Sequence, residues 1–202
     1  MMARSSQTVF ARQPIVDRQR AVVAYELLYR SPGYGNVAFF RDDALATASV
    51  VNAAFRLIGI SAVVGRARAL ANVDAEFLLS SRVERLPQEQ VMLEILETID
   101  IDEQIVRRCR ALKAKGYRLA LDDISHYSEK LEPLLEFVDV VKIDVMQLDA
   151  ASLARLVRHL RRWPARLLAE KVETRGRLQQ CLELGIDWFQ GLLFGDPVVL
   201  TA

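Results

Sequence analysis

Short apolar runs alternate with longer amphipathic ones along this chain. Val9–Ile15 and Ala21–Leu28 are separated by Asp17-Arg18-Gln19-Arg20, a polar break that predicts a hairpin. Ser31-Pro32-Gly33-Tyr34-Gly35-Asn36 is dense in turn formers and predicts a loop. Asp42-Asp43 then open a predicted helix to about Leu57, with Gly59 as its stop. Further strands are predicted at Ala69–Val73, Val91–Leu96, Leu119–Leu121, Val140–Ile143, Leu167–Val172 and Trp188–Leu193. Helices are predicted between them, near Glu76–Arg82, Asp102–Lys115, Lys130–Phe137, Ser152–Arg161 and Arg175–Leu184. Gly116 and Gly185 fall where a helix-to-strand turn needs a left-handed residue.

Near-continuous apolar strands that alternate with helices predict a parallel sheet covered by helices. About eight strands favour closure, so the expected fold is a TIM-like (β/α)8 barrel with one antiparallel strand from the N-terminal hairpin. The expectation is a single domain over residues 1–202, a little short for such a barrel and ending close to its last strand, as a fragment of a longer protein would. No linker, repeat or low-complexity stretch divides it.

Charge narrows the partners. With 27 Lys+Arg against 26 Asp+Glu the net charge is +1, so bulk attraction to duplex nucleic acid or to an anionic membrane is not expected. An anionic ligand would need a local site. Two cysteines, Cys109 and Cys181, are too few for a disulfide framework and predict free thiols in a reducing cytoplasm. The first nine residues lack the apolar stretch of a signal peptide, and no apolar run approaches the ~18 residues that span a bilayer.

The chemistry collects at the strand ends. Glu26, Asn72, Glu94, the pair Asp122-Asp123, Lys142, Asp144, Glu170, Glu173 and Gln190 each close or follow an apolar run. In a β/α barrel the C-terminal strand ends form one rim, so these side chains would face a single pocket. Taken singly each has a bland reading, a helix cap or a solvated side chain, and Asp102 and Asp149 are read as caps. As a set, carboxylates that close would repel unless cations neutralise them. Oxygen donors select Mg²⁺, Mn²⁺ or Ca²⁺, and the Asp-Asp pair points to two ions of the kind that assist phosphoryl displacement. His126 and His159 have no Cys or His partner at zinc spacing.

The chain resembles the EAL domain family, phosphodiesterases that linearise cyclic di-GMP. The matching segments are Tyr25-Glu26-Leu27-Leu28-Tyr29-Arg30 (Leu27 where the family usually has Ala), Ala71-Asn72-Val73, Leu93-Glu94-Ile95-Leu96-Glu97, Leu119-Ala120-Leu121-Asp122-Asp123, Val141-Lys142-Ile143-Asp144, Ala169-Glu170-Lys171-Val172-Glu173-Thr174 and Gln190-Gly191-Leu192-Leu193-Phe194. The wording of Ala11-Arg12-Gln13-Pro14-Ile15 and of Leu168–Thr174 is most similar to EAL domains followed by an HDOD domain.

The resemblance implies that Glu26, Asn72, Glu94 and Asp122 bind a first metal, Mg²⁺ or Mn²⁺. Asp123 would bind a second, Asp122 bridging and Glu170 completing the set. It further implies that Lys142 orients or helps to deprotonate the attacking water, that Glu173 braces the loop after the Asp pair, and that Arg30 and Gln190 contact the ligand. Cyclic di-GMP, a C-terminal HDOD domain and a second copy of the chain are the implied partners. One departure carries an expectation. The family's Phe-Gly-Thr-Gly loop is here Ile124-Ser125-His126-Tyr127, so side chains stand at both glycine positions and a strained or rerouted backbone is predicted.

Three functional readings follow. The first is a metal-dependent phosphodiesterase releasing linear pGpG. The second is a catalytically weak module that binds cyclic di-GMP or a protein. A distant third is a Schiff-base barrel using Lys142, which would need a desolvated, neutral amine.

Overall fold

A strand exposes alternate residues to opposite faces, so a sheet with apolar residues at every position is covered on both sides. The computed structural model, which describes residues 9–30 and 52–201, shows how both faces are used. Its strands are β1 (Val9–Asp17), β2 (Val22–Arg30), β3 (Arg68–Val73), β4 (Val91–Ile95), β5 (Arg118–Leu121), β6 (Val140–Asp144), β7 (Arg166–Glu170), β8 (Trp188–Phe189) and β9 (Val198–Thr201). β2 to β8 pair in parallel in chain order. β1 runs antiparallel and closes the barrel, pairing with β2 on one edge and β8 on the other. The eight-stranded mixed barrel expected from the hairpin is therefore present.

The helices are α1 (Ile60–Val64), α2 (Ala75–Leu79), α3 (Glu103–Ala114), α4 (Glu132–Leu135), α5 (Ala150–Leu160) and α6 (Arg175–Glu183). They bury apolar stripes against the outside of the barrel, such as Leu153, Leu156, Val157 and Leu160 of α5 at helical spacing. Asp102 and Asp149 cap α3 and α5, accepting from the Ile105 and Ser152 amides at 2.8 and 2.7 Å. Gly116 and Gly185 take φ of 93° and 79° at the turns that follow α3 and α6.

The barrel interior is filled by one apolar layer. Ile15, Ala24, Leu70, Met92, Ala120, Val140 and Leu168 form a single cluster with Trp188 packed against it, one residue from each of β1 to β8. This layer separates the two mouths of the barrel.

Several boundaries differ from the sequence expectation. β7 ends at Glu170 because Lys171 takes φ of 57°, and β8 ends at Phe189 rather than Leu193. Gly59, with φ of 90°, follows the helical turn that ends at Leu57, and it is also the N-cap of α1. β9 pairs with Val9–Arg12 of β1 beyond the point where the last strand was expected. The loop at residues 31–36 and the start of the helix expected from Asp42 lie outside the described residues. That helix's last turn, Asn52–Leu57, winds as a π-helix.

Candidate functional site

A step of two residues along a strand returns to the same face. Two residues beyond the apolar layer, toward the C-terminal mouth, the interior face carries Glu26, Asn72, Glu94, Asp122, Lys142, Glu170 and Gln190, on or just past β2 to β8. On antiparallel β1 the equivalent step reaches Gln13. These seven of the residues expected from the sequence are thus brought to one level of one mouth. Gln13 was not among them; a strand entering in the opposite direction has to be counted backward.

Lys142 lies at the centre. It is fully buried, and its Nζ contacts Glu26 Oε1 at 3.3 Å, Asp122 Oδ1 at 2.8 Å and Glu170 Oε1 at 2.8 Å, and also Glu94 Oε1. Glu26, Glu94 and Glu170 each offer an oxygen within 4.8 Å of the others. Gln190 Nε2 donates to Glu26 Oε2 at 2.5 Å and to Gln13 Oε1 at 3.1 Å, and Gln13 donates to the Gly195 carbonyl at 3.2 Å. Asn72 stands beside Glu94 in register and is partly buried.

The electrostatics follow from crowding. Burial alone would lower the Lys142 ammonium, but Glu170 and Glu26 outweigh it and hold the pKa above the ordinary lysine value. This removes the premise of the Schiff-base reading, which needs a neutral amine at working pH. Burial pushes Glu170 up to about 6, with Lys142 pulling the other way and Glu26 adding to the rise. Burial and then Glu170, Glu26, Glu97 and Asp123 also push Asp122 well above the carboxylate range, against its 2.8 Å contact with Lys142.

One ammonium among four carboxylates leaves a negative excess. Glu94 Oε2 and Gln190 Oε1 are buried with no hydrogen-bond partner. A buried carboxylate oxygen without a donor is costly, and a hard divalent cation satisfies it. The donor set therefore fits such an ion, with oxygen atoms only and no thiolate or imidazole.

Asp123 sits beside this ring and takes φ of 49°, a left-handed conformation that Asp tolerates better than most residues. Its neighbour across the mouth is Lys171, whose Nζ lies 3.4 Å from Asp123 Oδ1 and also contacts Asp144 Oδ2. Buried Asp144 further accepts from the Met146 amide and from Gln147, each at 2.8 Å. Burial lowers the Lys171 ammonium, but the bond to Asp144 and the charge of Asp123 reverse this and raise its pKa. Lys171 enters the sequence reading only as part of a motif; its left-handed φ, which carries the side chain onto Asp123 and Asp144, has no local signature.

The loop after Asp123 answers the expectation about its missing glycines. The left-handed residue is Asp123 itself, not Ser125 or Tyr127. The Ile124 amide donates to the Lys142 carbonyl at 2.9 Å, and Tyr127 stacks on His159 with centroids 5.0 Å apart. Neither position that carries glycine in the family takes a left-handed φ here. A cavity of about 460 Å³ opens beside it, lined among others by Glu97, Asp122, Asp123, Ser125 and His126. Glu173 is exposed and makes no hydrogen bond to this loop among the described residues. Arg30 ends β2, and its side chain lies outside the described residues.

A TIM-like barrel whose C-terminal mouth holds an oxygen-donor ring defines a class of candidate metal-dependent domains. Comparison with known proteins gives the family. The EAL domain model matches residues 43–197, and the chain belongs to that family. It is 35% identical over 195 residues to YuxH of Bacillus subtilis, an uncharacterized protein, covering 95% of this chain and 47% of that protein. It is 35% identical over 198 residues to the cyclic di-GMP phosphodiesterase CdgJ of Vibrio cholerae, covering 96% of this chain and 45% of that one. The chain thus spans about half the length of these relatives. Among solved structures it is similar to BlrP1 of Klebsiella pneumoniae in a calcium/cy-diGMP complex, at 26% identity and a TM-score of 0.74, over 98% of this chain and 58% of that one. The same protein is also known as a manganese/cy-diGMP complex.

Proposed function

We propose that this domain is a metal-dependent phosphodiesterase that hydrolyses cyclic di-GMP to linear pGpG in bacterial second-messenger signalling. The observation that carries it is the ring of Glu26, Asn72, Glu94, Asp122 and Glu170 on one barrel mouth, with a buried oxygen of Glu94 left without a donor. Family membership and the named activity of CdgJ support the same reading.

In this reading Glu26, Asn72, Glu94, Asp122 and Glu170 would hold a first Mg²⁺ or Mn²⁺, and Asp122 and Asp123 a second. The ions would supply Lewis acidity at the phosphate and lower the pKa of water. Lys142 is held as an ammonium by its carboxylate neighbours. It has three donors and no acceptor, so it orients the attacking water and does not act as the base. The proton passes to a carboxylate oxygen of the ring. Water oxygen bonds to phosphorus, the P–O3′ bond breaks, and the departing O3′ takes up a proton from solvent to become a hydroxyl, which leaves linear pGpG. Gln190, fixed by Gln13, and Arg30 belong to the ligand-contacting set. Glu173 is assigned to bracing the loop after Asp123, with an exposed carboxylate free to take up that contact.

The proposal places the domain in the bacterial cytoplasm. No helix among the described residues is long and apolar enough to cross a membrane, and both cysteines are free and buried. It also includes an adjoining HDOD domain, supported by the wording of Ala11–Ile15 and Leu168–Thr174. A homodimer is its last element, read by sedimentation. A second reading, a weakly catalytic domain that binds cyclic di-GMP, is favoured by the Lys171 ammonium beside Asp123.

Incubation with cyclic di-GMP and Mg²⁺ or Mn²⁺, followed by chromatography, tests the proposal. Release of pGpG that stops on chelation supports it. Binding without turnover moves the assignment to the second reading, and neither binding nor turnover overturns both.

A further inference from the structure

The two-residue step that builds the catalytic mouth also works in the other direction. Two residues before the apolar layer, β3, β5 and β7 begin with Arg68, Arg118 and Arg166. In register, Arg68 pairs with Ala24, Arg118 with Met92 and Arg166 with Val140, and each partner belongs to the interior layer. Register mates on parallel strands share a face. All three arginines therefore enter the N-terminal mouth of the barrel from alternate strands.

Their neighbours neutralise them only in part. Asp139 is the carboxylate that reaches this group, 3.7 Å from Arg118 Nη1. That contact is to Oδ1, and the other oxygen, Oδ2, takes Lys113 Nζ at 2.7 Å and the Leu119 amide at 2.8 Å, so its charge is shared. Asp17, the β1 residue of the same level, accepts from the Gln19 and Ala21 amides. Gln90 is paired with Ser61. Arg68 Nε donates to the Glu89 carbonyl at 3.1 Å, and the Arg166 guanidinium lies 5.2 Å from the centre of the Trp188 ring. Arg118 retains a partly exposed side chain and Arg166 is exposed, so the mouth is open to solutes. The mutual repulsion registers on Arg68, whose pKa is lowered by burial and next by Arg118, with Arg166 adding to the fall and Asp139 opposing it.

We propose that Arg68, Arg118 and Arg166 form an anion site at the N-terminal mouth of the barrel, opposite the catalytic mouth, that binds a phosphate group. Guanidinium forks converging from three strands suit a tetrahedral oxyanion with several acceptor oxygens. A terminal phosphate carries about −1.5 to −2 charges near pH 7, which matches the excess here better than a single carboxylate does. Trp188 gives Arg166 a flat apolar support, which limits the conformational entropy lost when it closes on a ligand.

The test uses the whole chain in EDTA, where the acidic catalytic mouth repels anions. Inorganic phosphate and glycerol 3-phosphate are titrated at constant ionic strength set with chloride, and read by calorimetry and thermal melting. Wild type is expected to bind and to melt higher. Binding of both probes identifies a terminal-phosphate site, and binding of inorganic phosphate alone a free-ion site. In Arg118→Ala/Arg166→Ala, with Arg68 left on Glu89, affinity is expected to fall about tenfold or more. Should that variant not fold, Arg166→Gln alone is expected to weaken binding in the same direction. A melting shift that chloride reproduces, or phosphate binding unchanged in the variants, overturns the proposal.

Discussion

Lys142→Met tests the electrostatic account of the C-terminal mouth most directly. The variant keeps much of the side-chain length and removes the one ammonium that Glu26, Glu94, Asp122 and Glu170 share. Those carboxylate side chains are at most 15% exposed, so water cannot take over its role. Removing one partner from a buried ion pair costs roughly 3–5 kcal/mol. For a domain of this size each kcal/mol moves the melting temperature by about 2–4 °C, so the expected fall without metal is roughly 6–20 °C. Calorimetry or circular dichroism in EDTA at pH 8 measures it. Two features separate this from a packing defect. Saturating Mn²⁺ should narrow the gap, because the unneutralised carboxylates of the variant bind a cation more tightly than wild type does; each tenfold difference in Kd recovers about 1.4 kcal/mol. The gap should also narrow at pH 5, where protonation removes the unbalanced charge. A variant that melts with wild type in EDTA, or a gap indifferent to both metal and pH, would refute the reasoning.

The remaining predictions concern the same mouth. Glu170 has its folded pKa raised to about 6, so the native state holds its proton longer than the unfolded chain does. The metal-free protein should therefore lose stability as pH rises from about 4.5 through about 6, and stabilisation by Mn²⁺ should be larger at pH 8 than at pH 5; a flat melting profile in EDTA would count against the cluster. Glu26→Ala and Asp123→Ala should each abolish pGpG release while leaving circular dichroism unchanged, and near wild-type turnover in either would remove that residue from the metal set. Lys171→Gly should strengthen binding of the second ion, seen as a lower Mn²⁺ concentration for half-maximal turnover and for paired-ion electron paramagnetic resonance, since it removes the ammonium beside Asp123 and φ of 57° suits glycine. Gly191→Ala should lower the melting temperature sharply, because an added Cβ would lie 2.3 Å from the Val172 backbone.

The parts of the site that sequence reveals are those governed by period two. Once Leu70, Met92, Ala120, Val140 and Leu168 are recognised as strand residues, the polar residues two steps on must share their face, and Glu94, Asp122, Lys142 and Glu170 follow without tertiary information. Gln13 obeys the same rule in reverse, and only the hairpin direction conceals it. What escapes is set by contacts distant in sequence. β9 exists because Val198–Thr201 meets Val9–Arg12 at the other end of the chain. β8 stops at Phe189 because Gly191 must lie against Val172, a contact that no local run of residues encodes. Gly59 reads as a helix stop or a helix start with equal ease; it follows a turn ending at Leu57, and the start of α1 beside it is set by packing of Ile60, Val63 and Val64 against Phe10 and Leu27.

The left-handed residues show where pattern fails and why it matters for activity. Asp123 and Lys171 both take positive φ, each at a cost of about 1–2 kcal/mol that a glycine would avoid. Neither conformation is predicted by propensity, yet each aims its side chain at the other across the gap between β5 and β7, and the charges meet at 3.4 Å. Were the strain incidental, an uncharged residue would serve equally well at 171. An ammonium there places a positive charge where the second ion of the proposed mechanism must bind, so the fold holds a cation beside Asp123 whether or not metal is present. The same residue that stabilises the metal-free mouth then competes with the ion needed for turnover. A domain wired in this way should need more divalent ion for half-maximal turnover than one with glycine at that turn, and that midpoint is what the Lys171→Gly titration reads.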